Sequence, residues 1–313
     1  MSERDIAFPN LHIYLKNVPQ SISLFGKYDI MFYAIIIVIG MFLGRFVADR
    51  IARKAGESKD YIWDFFFPVV FFSVIGARIY YVIFRWSEYK SNPISVFYIR
   101  QGGLAIYGGV IAAFITGYVY CKIKKDKALK LLDYCMPGLI LGQAIGRWGN
   151  FFNREVFGEY TDNIFAMRLP LAAVRARDIT DDLWSHVSST DNFIQVHPTF
   201  LYESTWNFLV FALLMIFYKK KKFNGEVCLW YLAGYGLGRF FIERIRTDTL
   251  FIPGTTMPVS EALAAIMFVG AVLADIVIRM EIAKKPQIVK TDEVKSDEAK
   301  SESKPAAEDK EEE

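Results

Sequence analysis

Seven mainly apolar stretches follow one another along this chain: Tyr28 to Phe46, Trp63 to Phe84, Leu104 to Cys121, Leu129 to Ile145, Thr199 to Tyr218, Val227 to Glu243 and Val259 to Ile278. A helix needs about 20 such residues to cross the hydrocarbon of a bilayer, and each stretch meets or approaches that length. The pattern predicts an all-α polytopic membrane protein with seven transmembrane helices. Residues 1–27 contain no continuous apolar core followed by a small-residue cleavage site. A removable signal peptide is therefore not expected, and the first span itself directs insertion.

Basic residues alternate between the connections. One set carries Arg45, Arg50, Arg53, Lys54 and Lys59, then Lys122, Lys124, Lys125, Lys127 and Lys130, then Lys219 to Lys222, then Arg279, Lys284 and Lys285. The long member of the other set, residues 159–196, bears Asp162, Asp178, Asp181, Asp182 and Asp191. The positive-inside rule then puts the N-terminus outside and the C-terminus in the cytoplasm. Residues 159–196 are too long for a tight connection and are expected to form a small external head able to contact a protein substrate. The expected division is an external N-terminal segment at 1–27, a membrane domain at 28–283 that includes the head, and a tail at 284–313. That tail is rich in Lys, Glu, Ser, Asp and Ala with almost nothing to bury, and is expected to be disordered.

Composition agrees with the pattern, since 53% hydrophobic and 16% aromatic residues exceed what an ordinary globular surface allows. The net charge of +3 says less than its distribution. Cys121, Cys135 and Cys228 lie in or beside apolar runs with no CxxC pair, so they are expected as small buried hydrophobes. No metal or cofactor motif is present, and the expected surroundings are a lipid bilayer rather than a nucleic acid.

One run departs from a simple membrane exit: Gly146-Arg147-Trp148-Gly149-Asn150-Phe151-Phe152-Asn153-Arg154-Glu155-Val156-Phe157-Gly158. Its three glycines predict a tight turn instead of continued helix. Arg147 presents a permanent planar fork of donors that suits a phosphate. Asn150 and Asn153 can donate and accept, and Glu155 can fix an arginine or take a proton. An amphipathic turn whose arginines merely reach lipid headgroups is the plainer alternative, and the density of polar groups argues against it.

Other polar residues gather on the same side of the expected topology: Tyr28, Arg78, Tyr107, His197, Glu203, Tyr235, Arg239, Glu243 and Arg246. The last four recur at intervals of four, four and three residues, which puts them on one helix face. Ionisable groups at membrane depth face a cavity or a partner. Glu243 can neutralise Arg239, and Arg78 can either bind a ligand or pair with a carboxylate such as Glu203 or Glu155. His197 precedes a proline and suits an anchor at a helix start. Asp64 and Asp133, near helix N-termini, are expected to cap them.

The run at Gly146 to Gly158 resembles, letter for letter, the G-R-x-G-N-F-x-N-x-E-x-x-G signature of the bacterial phosphatidylglycerol–prolipoprotein diacylglyceryl transferases. Gly102-Gly103-Leu104-Ala105-Ile106-Tyr107-Gly108-Gly109 is similar to that family's third-span motif, His197-Pro198 with Tyr202-Glu203 to its fifth, and Gly234 to Arg246 to its sixth. The resemblance spans roughly Tyr28 to Ile278, with one departure: Tyr107 stands where many members have histidine.

The resemblance implies transfer of the diacylglyceryl group of phosphatidylglycerol to the lipobox cysteine thiol of a prolipoprotein, with glycerol phosphate leaving. Arg147 and Arg239 would stabilise the departing phosphate, with Tyr107 and Glu243 as further catalytic candidates. Asn150, Asn153, Glu155, Gly158, Tyr28, Tyr235, Arg246, His197 and Arg78 would bind substrate. Because thiolate is the reactive form and a phenol has a pKa near 10, Tyr107 is a poor base. Glu243, Glu155, His197 and water all stay open as proton acceptors. A transporter of an anionic solute and a lipid-binding protein are the competing readings, although the charged set is one-sided and no internal repeat marks a transporter.

Overall fold

The computed structural model of the protein describes residues 2–24, 28–99, 102–187 and 192–284. Its helices in chain order are α1 (Phe32–Lys54), α2 (Tyr61–Phe84), the single-turn α3 (Trp86–Tyr89), α4 (Ile106–Lys124), α5 (Ala128–Asn153), the short α6 (Asp181–Ser185), α7 (Thr199–Phe217), α8 (Glu226–Glu243) and α9 (Val259–Lys284). The long ones fall near the expected apolar stretches. Among the described residues five helices are long and apolar enough to cross a membrane: α1, α2, α4, α7 with its continuation to Lys220, and α9. Helices α5 and α8 fall outside that group because they carry the polar residues, among them Asp133, Gln143, Arg147 and Asn150 on α5 and Glu226, Arg239 and Glu243 on α8.

Helix α5 packs against α1, α7 and α8, while α2 packs against α4. The α1–α5 contact depends on bare backbone. A Cβ on Gly44 would stand 2.5 Å from the Gly138 carbonyl oxygen, so two small residues let the helices approach where lipid supplies no hydrophobic drive between them. Residues up to Leu273 belong to one compact unit and residues 274–284, the end of α9, to a second, in which Arg279 pairs with Asp275 at 3.1 Å.

The all-α expectation is corrected by two small sheets. Strands β1 (Ile6–Phe8), β2 (Ile13–Leu15), β5 (Met167–Pro170) and β6 (Phe193–Val196) form an antiparallel sheet in the order β2-β1-β5-β6, and β3 (Ser21–Leu24) pairs with β4 (Tyr28–Met31). Ala7 faces Arg168 across β1 and β5, and Leu169 faces Ile194 across β5 and β6. The start of the chain thus pairs with the 159–196 region. One face of the four-stranded sheet closes a core of Ile6, Phe8, Met167, Leu169, Ile194 and Val196 with Leu183, Phe151 and Phe157 and, from the start of α7, Phe200. Alternate strand residues point to one face, so strands of three or four residues suffice to seat this layer on the ends of α5 and α7. The first helix begins at Phe32 because Tyr28–Met31 pair as β4.

Residues 285–313, which hold nearly all of the expected tail, and the side chain of Tyr28 lie outside the described residues.

Candidate active site

The expected turn at Gly146 does not occur there. Helix α5 continues through the whole first half of the signature to Asn153, and the chain turns at Arg154 and Val156, both with left-handed backbone (φ 53° and 60°). Interior glycine costs a helix about 1 kcal/mol, and packing offsets it here: the Tyr33 ring of α1 fills the place where a Gly149 side chain would be. Continued helix puts Arg147 and Asn150 one turn apart on the same face, with Arg147 Nη1 and Asn150 Oδ1 3.5 Å apart.

Arg147 reaches Glu203 on α7, its Nη2 lying 2.5 Å from Oε2. Arg239 on α8 reaches the same carboxylate, 3.2 Å from Oε1 and 3.3 Å from Oε2. Arg246, just beyond α8, lies 3.6 Å from Glu203 and is held by Asp248 at 2.8 Å. Glu243 completes the group, 2.6 Å from Arg239 and accepting a hydrogen bond from the Ser260 hydroxyl at 2.7 Å. The side chain of Glu203 is only 4% exposed, whereas Arg147 and Arg239 keep 21% and 15%. Three guanidiniums therefore converge from α5 and the end of α8 on one buried carboxylate supplied by α7, and two of them remain open to a further anion.

A second cluster fixes the far half of the signature. Glu155 Oε1 accepts from the side-chain amides of Asn150 (3.2 Å) and Asn153 (3.1 Å), and its Oε2 accepts from Arg175 at 2.9 Å. Arg154 points the other way. It is 3% exposed and donates to the carbonyls of Phe152, Arg4 and Val18, which ties the N-terminal strands to the signature. Burial pushes its guanidinium below the ordinary value.

Gly158 joins these clusters. Its N–H donates to the His197 carbonyl at 3.0 Å, the next N–H, of Glu159, donates to the Ile245 carbonyl at 2.8 Å, and Thr247 N–H donates to the Phe157 carbonyl at 3.3 Å. The segment after α5 is thereby stitched to the residues that open α7 and to those that close α8. A side chain could not fit, since a Cβ on Gly158 would lie 2.5 Å from the Ile245 carbonyl oxygen and 2.9 Å from His197 Cβ. His197 is an anchor of this junction. Its Nδ1 lies 3.3 Å from the Tyr202 hydroxyl and 3.4 Å from Asn163 Nδ2, and burial lowers its pKa below the ordinary imidazole value.

Arg78 does not pair with Glu203 or Glu155. Its Nε donates to the Val96 carbonyl (2.7 Å), its Nη2 to Ser95 (2.9 Å) and its Nη1 to Gly102 (2.9 Å) and Gly103 (2.8 Å). Gly102 and Gly103 have φ of 92° and 78°, a conformation glycine adopts without strain, and it turns both carbonyls toward the guanidinium. Arg78 is thus a clamp on the segment between α2 and α4. That segment delivers Tyr107 in the first turn of α4, half exposed, its ring 6.4 Å from that of Tyr80. Tyr235 stacks on Tyr231 at 5.8 Å one turn before Arg239.

Capping also differs from expectation. Asp133 serves a neighbour: its carboxylate accepts from the N–H groups of Gly225 (2.9 Å) and Cys228 (3.2 Å) at the start of α8, and from Lys221 at 3.0 Å. Asp64 stands in the first turn of α2, as expected, and also pairs with Lys124 at 2.8 Å. Sequence reasoning gathered Glu203 with the other polar residues but gave it no catalytic or binding role, and it left Arg175 and Ser260 out of the site. Glu203 alone carried a signal, as a carboxylate beside the His197-Pro198 motif. Arg175 and Ser260 stand in stretches with no pattern. Among the described residues no group of three or more His, Cys, Asp or Glu is placed to hold a metal ion.

A family model described as prolipoprotein diacylglyceryl transferase matches residues 19–277. The chain is similar to the phosphatidylglycerol–prolipoprotein diacylglyceryl transferase of Finegoldia magna, 43% identical over 272 residues that cover 87% of this chain and 97% of the relative. It is likewise similar to those of Clostridioides difficile, 39% identical over 254 residues (81% and 92% coverage), and Enterococcus faecalis, 40% identical over 258 residues (82% and 88%).

Proposed function

The chain belongs to the prolipoprotein diacylglyceryl transferase family, and from that membership we infer that it transfers the diacylglyceryl group of phosphatidylglycerol to the lipobox cysteine of a prolipoprotein. It is a multi-pass bacterial membrane protein. In the reaction the cysteine thiol loses its proton, a sulfur–carbon bond forms at the glyceryl carbon, and the bond from that carbon to the phosphate oxygen breaks. The electron pair leaves with the phosphate, and glycerol phosphate is released. The charge that develops there calls for fixed donors at a site poor in water.

The observation that carries the assignment of residues is the convergence of Arg147 and Arg239 on Glu203 with both guanidiniums still partly exposed. In this reading they bind the phosphate of the lipid in the ground state and more tightly as it departs. Asn150, Asn153 and Glu155 shape the wall beside them, and Arg246, Glu243 and Tyr235 support Arg239. Gly158 and His197 hold the junction in place, and Tyr107 meets the headgroup. Arg78 acts at a distance, through the segment it clamps.

The finer topology is part of the same reading: seven crossings, the N-terminus and the head outside, and the C-terminus in the cytoplasm. It is supported by the one-sided distribution of lysine and arginine. The site then sits at the outer headgroup level of the cytoplasmic membrane, where a translocated lipobox cysteine is available.

Purified protein given phosphatidylglycerol and a lipobox peptide is expected to yield the diacylglyceryl thioether. Arg147→Ala and Arg239→Ala are expected to lose product while still inserting. Unchanged turnover in both variants rejects the residue assignment.

A further inference from the structure

We propose that Glu203 is a positioning residue of the transfer reaction, the buried carboxylate that sets how far apart and at what angle Arg147 and Arg239 present themselves to the lipid phosphate. The proposal rests on the transferase reading above.

Glu203 has the geometry for this. Two guanidiniums from helices far apart in sequence meet its two oxygens, at 2.5 Å from Arg147 and 3.2 Å from Arg239, and a third, Arg246, lies at 3.6 Å. Without an anion between them, like charges brought this close would repel and swing apart. Charge-assisted contacts are short and directional, so the carboxylate fixes orientation as well as neutralising charge. It is also rigidly mounted. One residue on, the Ser204 hydroxyl donates to the Ala144 carbonyl of α5 at 2.9 Å and accepts from the Trp148 indole at 3.2 Å. Two residues further, Trp206 donates to the Gly234 carbonyl of α8 at 2.8 Å and lies against Gly238. Ala144 and Trp148 flank Arg147, while Gly234 and Gly238 precede Arg239. The stretch Glu203 to Trp206 is therefore bolted to both helices that carry the two arginines, and its carboxylate spans the gap. Arg246 is the least exposed of the three, at 9%, and is held by Asp248, so the two cations with more surface left for a ligand are the pair that Glu203 aligns.

A misplacement of about 1 Å in a catalytic group can cost on the order of 100-fold in rate, and the groups concerned matter most as the phosphate departs. The test compares full-length wild type, Glu203→Gln, Glu203→Asp and Ser204→Ala with phosphatidylglycerol in mixed micelles and a lipobox peptide, reading kcat, KM and the fraction of folded protein. Expected are a kcat lowered more than about tenfold in Glu203→Gln, with KM for the lipid within about threefold of wild type and the folded fraction retained, and an intermediate kcat in Glu203→Asp. Ser204→Ala, which loosens the mount on α5 but leaves the carboxylate in place, is expected to lower thermal stability and to lower kcat by less than Glu203→Gln does. An active wild type with an unchanged Glu203→Gln overturns the inference. Activity that falls only in proportion to the folded fraction, in both Glu203 variants, overturns it too. A folded wild type that yields no thioether overturns the transferase reading and this inference with it.

Discussion

Gly158 lies so close to Ile245 that a Cβ on the glycine would stand 2.5 Å from the Ile245 carbonyl oxygen. This one approach holds the end of the signature against the end of α8, and through His197 against the start of α7. Overpacking a tight site costs about 1–3 kcal/mol. Gly158→Ala is expected to lower the unfolding temperature in detergent and to cut thioether formation at least about tenfold, because the three arginines lose their common frame. Wild-type turnover in that variant would show that the junction tolerates displacement.

Lysine in place of either arginine separates charge from geometry. A lysine keeps the cation but loses the planar fork, and removing one donor from a developing oxyanion costs about 100-fold or more in kcat in well-ordered sites. Arg147→Lys and Arg239→Lys are each expected to keep less than about a tenth of wild-type kcat. Turnover near wild type would mean that charge alone suffices.

Arg78 predicts the opposite profile. Its donors meet four carbonyls, and buried acceptors left without a partner cost about 1–3 kcal/mol each. Arg78→Gln is expected to lower thermal stability by more than about 2 kcal/mol while KM for phosphatidylglycerol stays within about twofold in the folded fraction. A large rise in KM with stability intact would return Arg78 to direct contact with the lipid.

Stability should also respond to pH at His197. Burial holds its folded pKa below the unfolded value, so the neutral ring is favoured in the native state. The stability it contributes is fully present above the unfolded pKa near 6.5 and is lost as pH falls from there through the folded pKa. Between pH 7.5 and 5 the unfolding temperature of wild type is expected to drop further than that of His197→Asn. Parallel curves would assign the acid sensitivity elsewhere.

Tyr107 is half exposed and meets the Tyr80 ring at a tilt of 44°, so its hydroxyl can be removed without disturbing packing. If it orients the headgroup through one hydrogen bond, Tyr107→Phe is expected to lower turnover about tenfold at unchanged unfolding temperature. Equal turnover for Tyr, Phe and His at this position would make the hydroxyl dispensable.

The long apolar runs were legible because lipid demands length and hydrophobicity; helix starts fell within four residues of the expected ones, whereas α1 and α5 each ran eight residues further than expected. Family membership was legible in the letters from Gly146 to Gly158. The short strands were not, because three or four residues carry too little alternation to stand out, and β1 meets β5 only across 160 intervening residues. The turn expected at Gly146 was misplaced for a related reason: the glycines there serve contact with another helix, and the left-handed turn falls at Arg154 and Val156.

Sequence by itself determined a lipid-embedded helical chain, its family, and the arginines that a phosphate would need, because apolar runs and motif letters are local properties. Which carboxylate those arginines share is a distance between helices, and only the tertiary structure decided it. Glu203 looked like a counter-ion for Arg78. Packing of α7 between α5 and α8 gave it to Arg147 and Arg239 instead, and left Arg78 to backbone carbonyls that no residue pattern records.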